Sequence, residues 1–295
     1  MGVTLFGKNI LRLFKLDLKA HHKAIKKYAD FELMLDNLKY EICDELSDLK
    51  IPHVLSQKES VAKIISEKCS VVRFGDGEFN LMFGKGIGFQ EYSPELATRL
   101  EEILSSHNPK VLVGIPNRFG SLVDIDKLSR AYWRSFMAKN RRKIYNFLYF
   151  NQSYIDACFT AYGIEPDSET SSKDETEIEA YYQEIRKIWE QRDITIIRGD
   201  GTEIFKNDIY DNAKSVTYIQ APKEHAFRDY KHILEEALKQ PKDRLMIVVL
   251  GPTATVLAYD LALAGYQALD VGHIGKAYDW LKRKENIVIG KFFAS

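Results

Sequence analysis

From about Ser56 onward the chain alternates short apolar runs of strand character with longer segments of helical periodicity, and this alternation limits the possible folds more than any other feature. Strand character marks Ser70–Phe74, Lys110–Ile115, Asp193–Arg198, Ser215–Gln220 and Arg244–Leu250, with shorter stretches at Ala268–Val271 and Asn286–Ile289. Helical patterns fall between them at Pro94–Ser106, Glu175–Arg192, Phe227–Lys239 and Thr253–Ala264. Strands that alternate with helices imply an α/β fold, a mainly parallel sheet flanked by helices on both faces. Met246-Ile247-Val248-Val249-Leu250 is apolar at every position, as a strand buried on both faces requires.

In such sheets ligands bind beyond the C-terminal ends of the strands, so the strand exits hold the candidates for function. Val71-Val72-Arg73-Phe74-Gly75-Asp76-Gly77-Glu78 is an apolar strand ending in two carboxylates flanked by glycines. Asp76 and Glu78 lie two apart, and an extended segment sends both side chains to one face. Gly75 and Gly77 add no side-chain bulk, which lets a large anionic ligand approach the main chain. Paired carboxylates suit a hard divalent cation bound through oxygen. Gly-Asp-Gly is equally an ordinary turn sequence, so the other exits decide between the two readings.

At the second exit, Leu250 passes directly into Gly251-Pro252-Thr253-Ala254-Thr255 and then a helix. Gly251 permits a tight turn, and Thr253 or Thr255 is expected to cap the helix through its hydroxyl. Unpaired amides at a helix N-terminus favour phosphate, although no Walker lysine follows and a plain strand-to-helix turn reads the same way. Leu269-Asp270-Val271-Gly272-His273 brings an acid and an imidazole to a further exit. Asp270 suits a metal ligand or a base, and His273 suits contact with a phosphate or a sugar hydroxyl. Asn117 and Arg118 follow Gly114-Ile115-Pro116, Arg198 leads into Gly199-Asp200-Gly201 with Asn207-Asp208 beyond, and Ala221-Pro222-Lys223-Glu224-His225-Ala226-Phe227 opens another helix. Polar, glycine-marked exits after at least five strands are more than connecting turns require.

The 42 basic and 42 acidic residues cancel, which removes a global electrostatic case for nucleic-acid binding. Cys43, Cys69 and Cys158 are odd in number and lack metal-ligand spacing, as expected of a reducing compartment without a disulfide framework. No apolar run reaches the roughly 18 residues of a membrane-spanning helix, and charges interrupt the N-terminus where a signal peptide would be apolar. The expected location is cytoplasmic.

Residues 1–55 read as an N-terminal helical extension, ahead of a body over 56–295. Lys8, Arg12, Lys15, Lys19, Lys23 and Lys26 form one basic stripe, with Phe6, Ile10, Leu13 and Phe14 largely opposite. Such a helix can lie on the inner face of an anionic membrane or simply present solvated lysines. Phe31, Leu35, Leu38, Ile42 and Leu49 approximate a seven-residue repeat that can support a homodimer.

From about Ser56 to Ile289 the chain resembles the GT-D type glycosyltransferases, a Rossmann-like bacterial family of surface-glycan and glycoprotein assembly first described as a domain of unknown function. The resemblance rests chiefly on Arg73-Phe74-Gly75-Asp76-Gly77-Glu78, and in the same order on Val113-Gly114-Ile115-Pro116, Asn207-Asp208, the run from Ala221-Pro222 to Tyr230, Gly251-Pro252-Thr253-Ala254 and Asp270-Val271-Gly272-His273. It implies that Asp76 and Glu78 hold Mn²⁺ or Mg²⁺ against the diphosphate of a UDP-sugar, with glucose the first sugar to test. A donor site at Arg73, Gly75, Gly77, Asn117, Gly251, Thr253, Thr255 and His273, and a base at Asp270 or else Glu224, complete the expectation. The acceptor would be a hydroxyl of a glycan, a glycoprotein or a lipid-linked intermediate. Two departures stand out: Thr160-Ala161-Tyr162-Gly163 lacks the arginine expected of relatives, and His225 replaces an expected asparagine. A metal-dependent phosphoesterase and a non-catalytic partner subunit of a transferase are the alternative readings.

Overall fold

The structure, a computed structural model, describes residues 49–122, 125, 127–163, 174–201 and 208–283, together with isolated helical positions between 22 and 31. The strand expected at Asn286–Ile289 and nearly all of the basic stripe lie outside the described residues. The chain divides into two compact units at Lys50–Ile51.

Among the described residues of the second unit eight strands form one sheet: β1 His53–Val54, β2 Ser70–Arg73, β3 Val111–Ile115, β4 Ser153–Asp156, β5 Asp193–Gly199, β6 Ser215–Ala221, β7 Leu245–Val249 and β8 Gln267–Asp270. Their order is β1-β4-β3-β2-β8-β7-β5-β6, and every paired neighbour runs parallel. Six of these strands follow the sequence pattern within a residue or two at each end. β1 and β4 do not announce themselves: each is short, and β4 sits within an irregular stretch. β1 lies inside the segment that the sequence assigns to the extension, and it joins the sheet by pairing with β4.

Helices α1 Gln57–Glu67, α2 Asp76–Met82, α3 Pro94–Leu104, α4 Lys127–Tyr145, α5 Glu175–Arg186, α6 Tyr230–Leu238, α7 Pro252–Leu263 and α8 Ile274–Arg283 cover the sheet. Alternate strand residues point to opposite faces. Val72, Met246 and Val248 therefore join α2, α3, α4, α6 and α7 in one core, while Val71, Leu245 and Ile247 join α1, α5 and α8 in the other. Helix α7 is apolar nearly all round and correspondingly buried, packing against β2, β7 and β8 beneath it and α3 and α6 beside it.

The crossover order sets β8 directly beside β2, pairing Leu269 with Val71. Two exits that are almost 200 residues apart in sequence thus become neighbours at the centre of the sheet.

Candidate active site at the β2, β8 and β7 exits

Strand β2 ends at Arg73, and Gly75 serves as the N-cap of α2. This corrects the expectation of an extended segment. Asp76 and Glu78 occupy the first and third positions of a helix, where residues two apart point to different sides. Glu78 folds back to accept the Gly75 amide at 2.7 Å through Oε2, the one half of a capping box that a glycine N-cap can take part in. Asp76 instead accepts a hydrogen bond from the Tyr132 hydroxyl of α4. The apolar run leads into a helix here because acidic side chains in a first turn answer its free amides.

The glycines have local tasks. A Cβ on Gly75 would stand 3.3 Å from Glu78 Oε2, and one on Gly77 would stand 3.3 Å from Ile87 Cδ1. The close approach at Gly77 is therefore made by the loop after α2.

Arg73 and Asp270 form the floor. Arg73 directs Nε and Nη2 to Asp270 Oδ1 at 3.2 and 3.1 Å, and Nη1 to the Ala157 carbonyl at 2.8 Å. The guanidinium thereby ties together the exits of β2, β8 and β4. Burial works against its charge, but Asp270 and Glu78 more than offset that, holding it above its ordinary range. Asp270 also accepts from the Gly272 amide at 3.0 Å, and its Oδ2 lies 3.4 Å from the Thr255 hydroxyl oxygen. Burial pushes the Asp270 carboxyl above its ordinary range, while Arg73 pulls it back. Asp270 is buried, and its Oδ1 is held by Arg73 and by the Gly272 amide. Arg73 likewise turns three of its five N–H groups inward, to Asp270 and to the Ala157 carbonyl.

Glu78 is partly buried, and that burial, reinforced by the Asp270 charge, raises its carboxyl to about 7. His273 is exposed at the rim of the β8 exit. The protein around it, followed by the Arg73 and Lys276 cations, holds its imidazole below the ordinary range and therefore neutral.

At the β7 exit the hydroxyls have other employment than capping. Thr255 donates to the Arg73 carbonyl at 2.9 Å, and Thr253 donates to Gln90 Oε1 at 3.3 Å. The N-cap of α7 is Gly251, at φ 53°, with no side-chain cap. A Cβ there would fall 2.7 Å from Phe89 Cε2, so an aromatic ring covers the spot that the sequence reserves for a phosphate. The loop that carries this ring is clamped from the β6 exit: His225 N–H donates to the Phe89 carbonyl at 2.8 Å, and Glu91 N–H donates to His225 Nδ1 at 3.0 Å. His225 sits at φ 53°, in the left-handed region where histidine, like asparagine, is among the more readily tolerated side chains.

The remaining candidates lie further out. Asn117 is exposed at the exit of β3, and Glu224 is exposed at the exit of β6. Asn207 lies outside the described residues. Asp208 lies within 3.8 Å of Arg186 and of Lys282, at the ends of α5 and α8. Those helices run back from the strand exits, so Asp208 belongs to the far side of the domain.

Tyr132, Phe89, Gln90 and the Ala157 carbonyl were not legible in sequence as site residues. Gly84, Gly86 and Gly88 are a usable signal for the Phe89 loop, since three alternate glycines before an aromatic mark a tight turn. Nothing local marks Tyr132.

As to metal, no group of three or more His, Cys, Asp or Glu side chains converges among the described residues. Asp76 and Glu78 offer hard oxygen donors. Such a pair fits a cation that shares its shell with ligand phosphates and water better than one held in an all-protein cage.

The profile of the glycosyltransferase GT-D fold family matches residues 71–290. Glycosyltransferase GlyD of Streptococcus pneumoniae serotype 4 is 30% identical over 283 residues, covering 94% of this chain and 34% of that protein. The probable glycosyl transferase Gly of Streptococcus gordonii is 30% identical over 239 residues, covering 78% of this chain and 33% of that protein. The chain thus spans about a third of the length of the curated relatives it matches. A solved structure described as the highly conserved domain of unknown function 1792, with a distinct glycosyltransferase fold, superimposes with a TM-score of 0.76 at 32% identity, covering 82% of this chain and 86% of that one.

Proposed function

Because the chain belongs to the GT-D glycosyltransferase family, we propose that it moves a sugar, glucose the first to test, from a UDP-sugar to a hydroxyl of a glycan, glycoprotein or lipid-linked acceptor, using Mn²⁺ or Mg²⁺ at Asp76 and Glu78. The observation that carries this reading is the position of those two carboxylates. They stand in the first turn of the helix leaving the central strand, at the sheet edge where α/β folds bind ligands.

A bound divalent cation supplies Lewis-acid relief of the charge on the departing diphosphate. Asp76 presents a half-buried carboxylate whose side-chain partner among the described residues is Tyr132, and Glu78 keeps Oε1 outside its capping bond. Arg73 lends a fixed positive field from beneath without surrendering a hydrogen bond. Neutral His273 at the rim suits a sugar hydroxyl. Of the two base candidates, exposed Glu224 is open to an acceptor, whereas Asp270 is committed to Arg73. Phe89 and Gly251 offer apolar surface and backbone beside the donor, while Thr253 and Thr255 hold the walls together through their hydroxyls.

Among the described residues no helix is long and apolar enough to cross a membrane. Contact with lipid-linked acceptors would rest on the basic N-terminal helix, and a homodimer on the repeat that follows it.

The test is calorimetric titration of UDP-glucose and other nucleotide sugars, with and without Mn²⁺, into the parent chain and Asp76→Asn. Metal-dependent binding lost in the variant supports the reading and identifies the donor. A folded parent that binds no nucleotide sugar under either condition rules it out.

A further inference from the structure

The catalytic reading leaves Tyr132 unexplained. It lies on α4, in a part of the chain to which the sequence pattern assigns no role, and it is 47% exposed, yet its hydroxyl is spent on Asp76. An exposed tyrosine that commits its hydroxyl to a half-buried carboxylate on another element gains only modest stability from that bond, because water still reaches both groups. The bond makes sense if the orientation of the carboxylate is what matters.

The ring is held by its neighbours. It stacks on Phe136, four residues on in the same helix, with centroids 6.1 Å apart and planes 22° apart, and it meets Trp133 edge-on at 5.7 Å. Phe136 in turn packs against Phe79 of α2 at 6.3 Å. The helix that carries Tyr132 is thus docked through aromatic contacts onto the helix that carries Asp76. This arrangement fixes the hydroxyl relative to the carboxylate.

We infer that Tyr132 is a positioning residue for Asp76: its hydroxyl donates to Oδ2, fixes the carboxylate rotamer and leaves Oδ1 for a divalent cation. Asp76 has no other side-chain partner among the described residues, so loss of the hydroxyl would free its rotamer. Second partners of this kind orient metal-binding carboxylates and typically contribute 10–100-fold in metal affinity. Burial, the hydrogen bond to Asp76 and its charge raise the phenol above its ordinary range, so it remains a donor through neutral pH.

The inference rests on the reading of Asp76 as a metal ligand, and the experiment separates the two. Mn²⁺ is titrated into the full chain with saturating UDP, and free Mn²⁺ is followed by electron paramagnetic resonance, which needs no turnover. The parent is compared with Tyr132→Phe, Tyr132→Ala and Asp76→Asn, and thermal unfolding is recorded for each. Tyr132→Phe keeps the aromatic stack, so it should unfold like the parent while binding Mn²⁺ about tenfold or more weakly. Asp76→Asn should bind more weakly still. If Tyr132→Phe matches the parent while Asp76→Asn loses binding, the hydroxyl has no positioning role, and a loss confined to Tyr132→Ala then assigns the tyrosine to packing. If Asp76→Asn binds Mn²⁺ as the parent does, or the parent binds none, the metal-ligand reading fails and the inference fails with it.

Discussion

Arg73 and Asp270, 197 residues apart in sequence, join the ends of adjacent strands β2 and β8 through Nε and Nη2 of the guanidinium, both directed at Oδ1. Their side chains are 21% and 4% exposed. Removing one partner of a buried pair strands the other charge, so Asp270→Ala should cost about 3–5 kcal/mol, read from urea unfolding. Replacing both, as Arg73→Met with Asp270→Leu, should recover much of that loss. Were Asp270 simply a base, Asp270→Asn would lose turnover and change stability by less than about 0.5 kcal/mol.

Gly272 enforces this geometry. Its φ is 50°, and a Cβ would lie 1.9 Å from Arg73 Nη2. Gly272→Ala should therefore destabilise the chain by more than left-handed strain alone, which is about 1 kcal/mol. Combined with Arg73→Met, the same substitution should cost less than the sum of the two single changes. Full additivity in the denaturation midpoints would mean that the loop moves aside.

Gly251 and Phe89 make a second test of coupling. Gly251→Ala combines strain at φ 53° with a contact of 2.7 Å to the Phe89 ring. The backbone strain alone should cost about 1–3 kcal/mol, and the loss should fall toward that value in a Phe89→Ala background, where the ring contact is gone. An unchanged loss in that background would show that the ring yields without cost.

The Glu78 carboxyl provides a pH handle. Folding raises it from 4.5 to about 7, chiefly by burial. The folded chain therefore holds this proton more tightly than the unfolded one. The stability it contributes is complete below about 4.5 and is lost as pH rises to about 7. A cation needs the carboxylate, so Mn²⁺ affinity should run the other way, improving as pH rises through about 7 and levelling above it. Calorimetric Mn²⁺ titrations between pH 6 and pH 8 check this, and an affinity that is flat across that range would remove Glu78 from the ligand set.

The strand exits were legible because their signal is local: an apolar run followed by glycine and a polar residue. The roles at those exits were harder to read. Asp76 and Glu78 stood out in the sequence, but whether Phe74–Glu78 continues as strand or winds into a helix depends on the capping bond from Glu78 to Gly75, which two-residue spacing does not reveal. In sequence, Thr253 or Thr255 reads as a cap because a hydroxyl near a helix start usually is one. Their actual partners, Gln90 and Arg73, are more than 160 residues away in sequence.

The α/β class, the parallel sheet and the set of residues at its C-terminal edge follow from periodicity and turn chemistry, which act over a few neighbouring positions. Which exits are neighbours depends instead on the strand order of the folded sheet. The crossover order places β8 against β2, lets Asp270 neutralise Arg73 and brings Tyr132 to Asp76. Those partnerships depend on how whole helices pack across a sheet, and no spacing along one strand or turn encodes that.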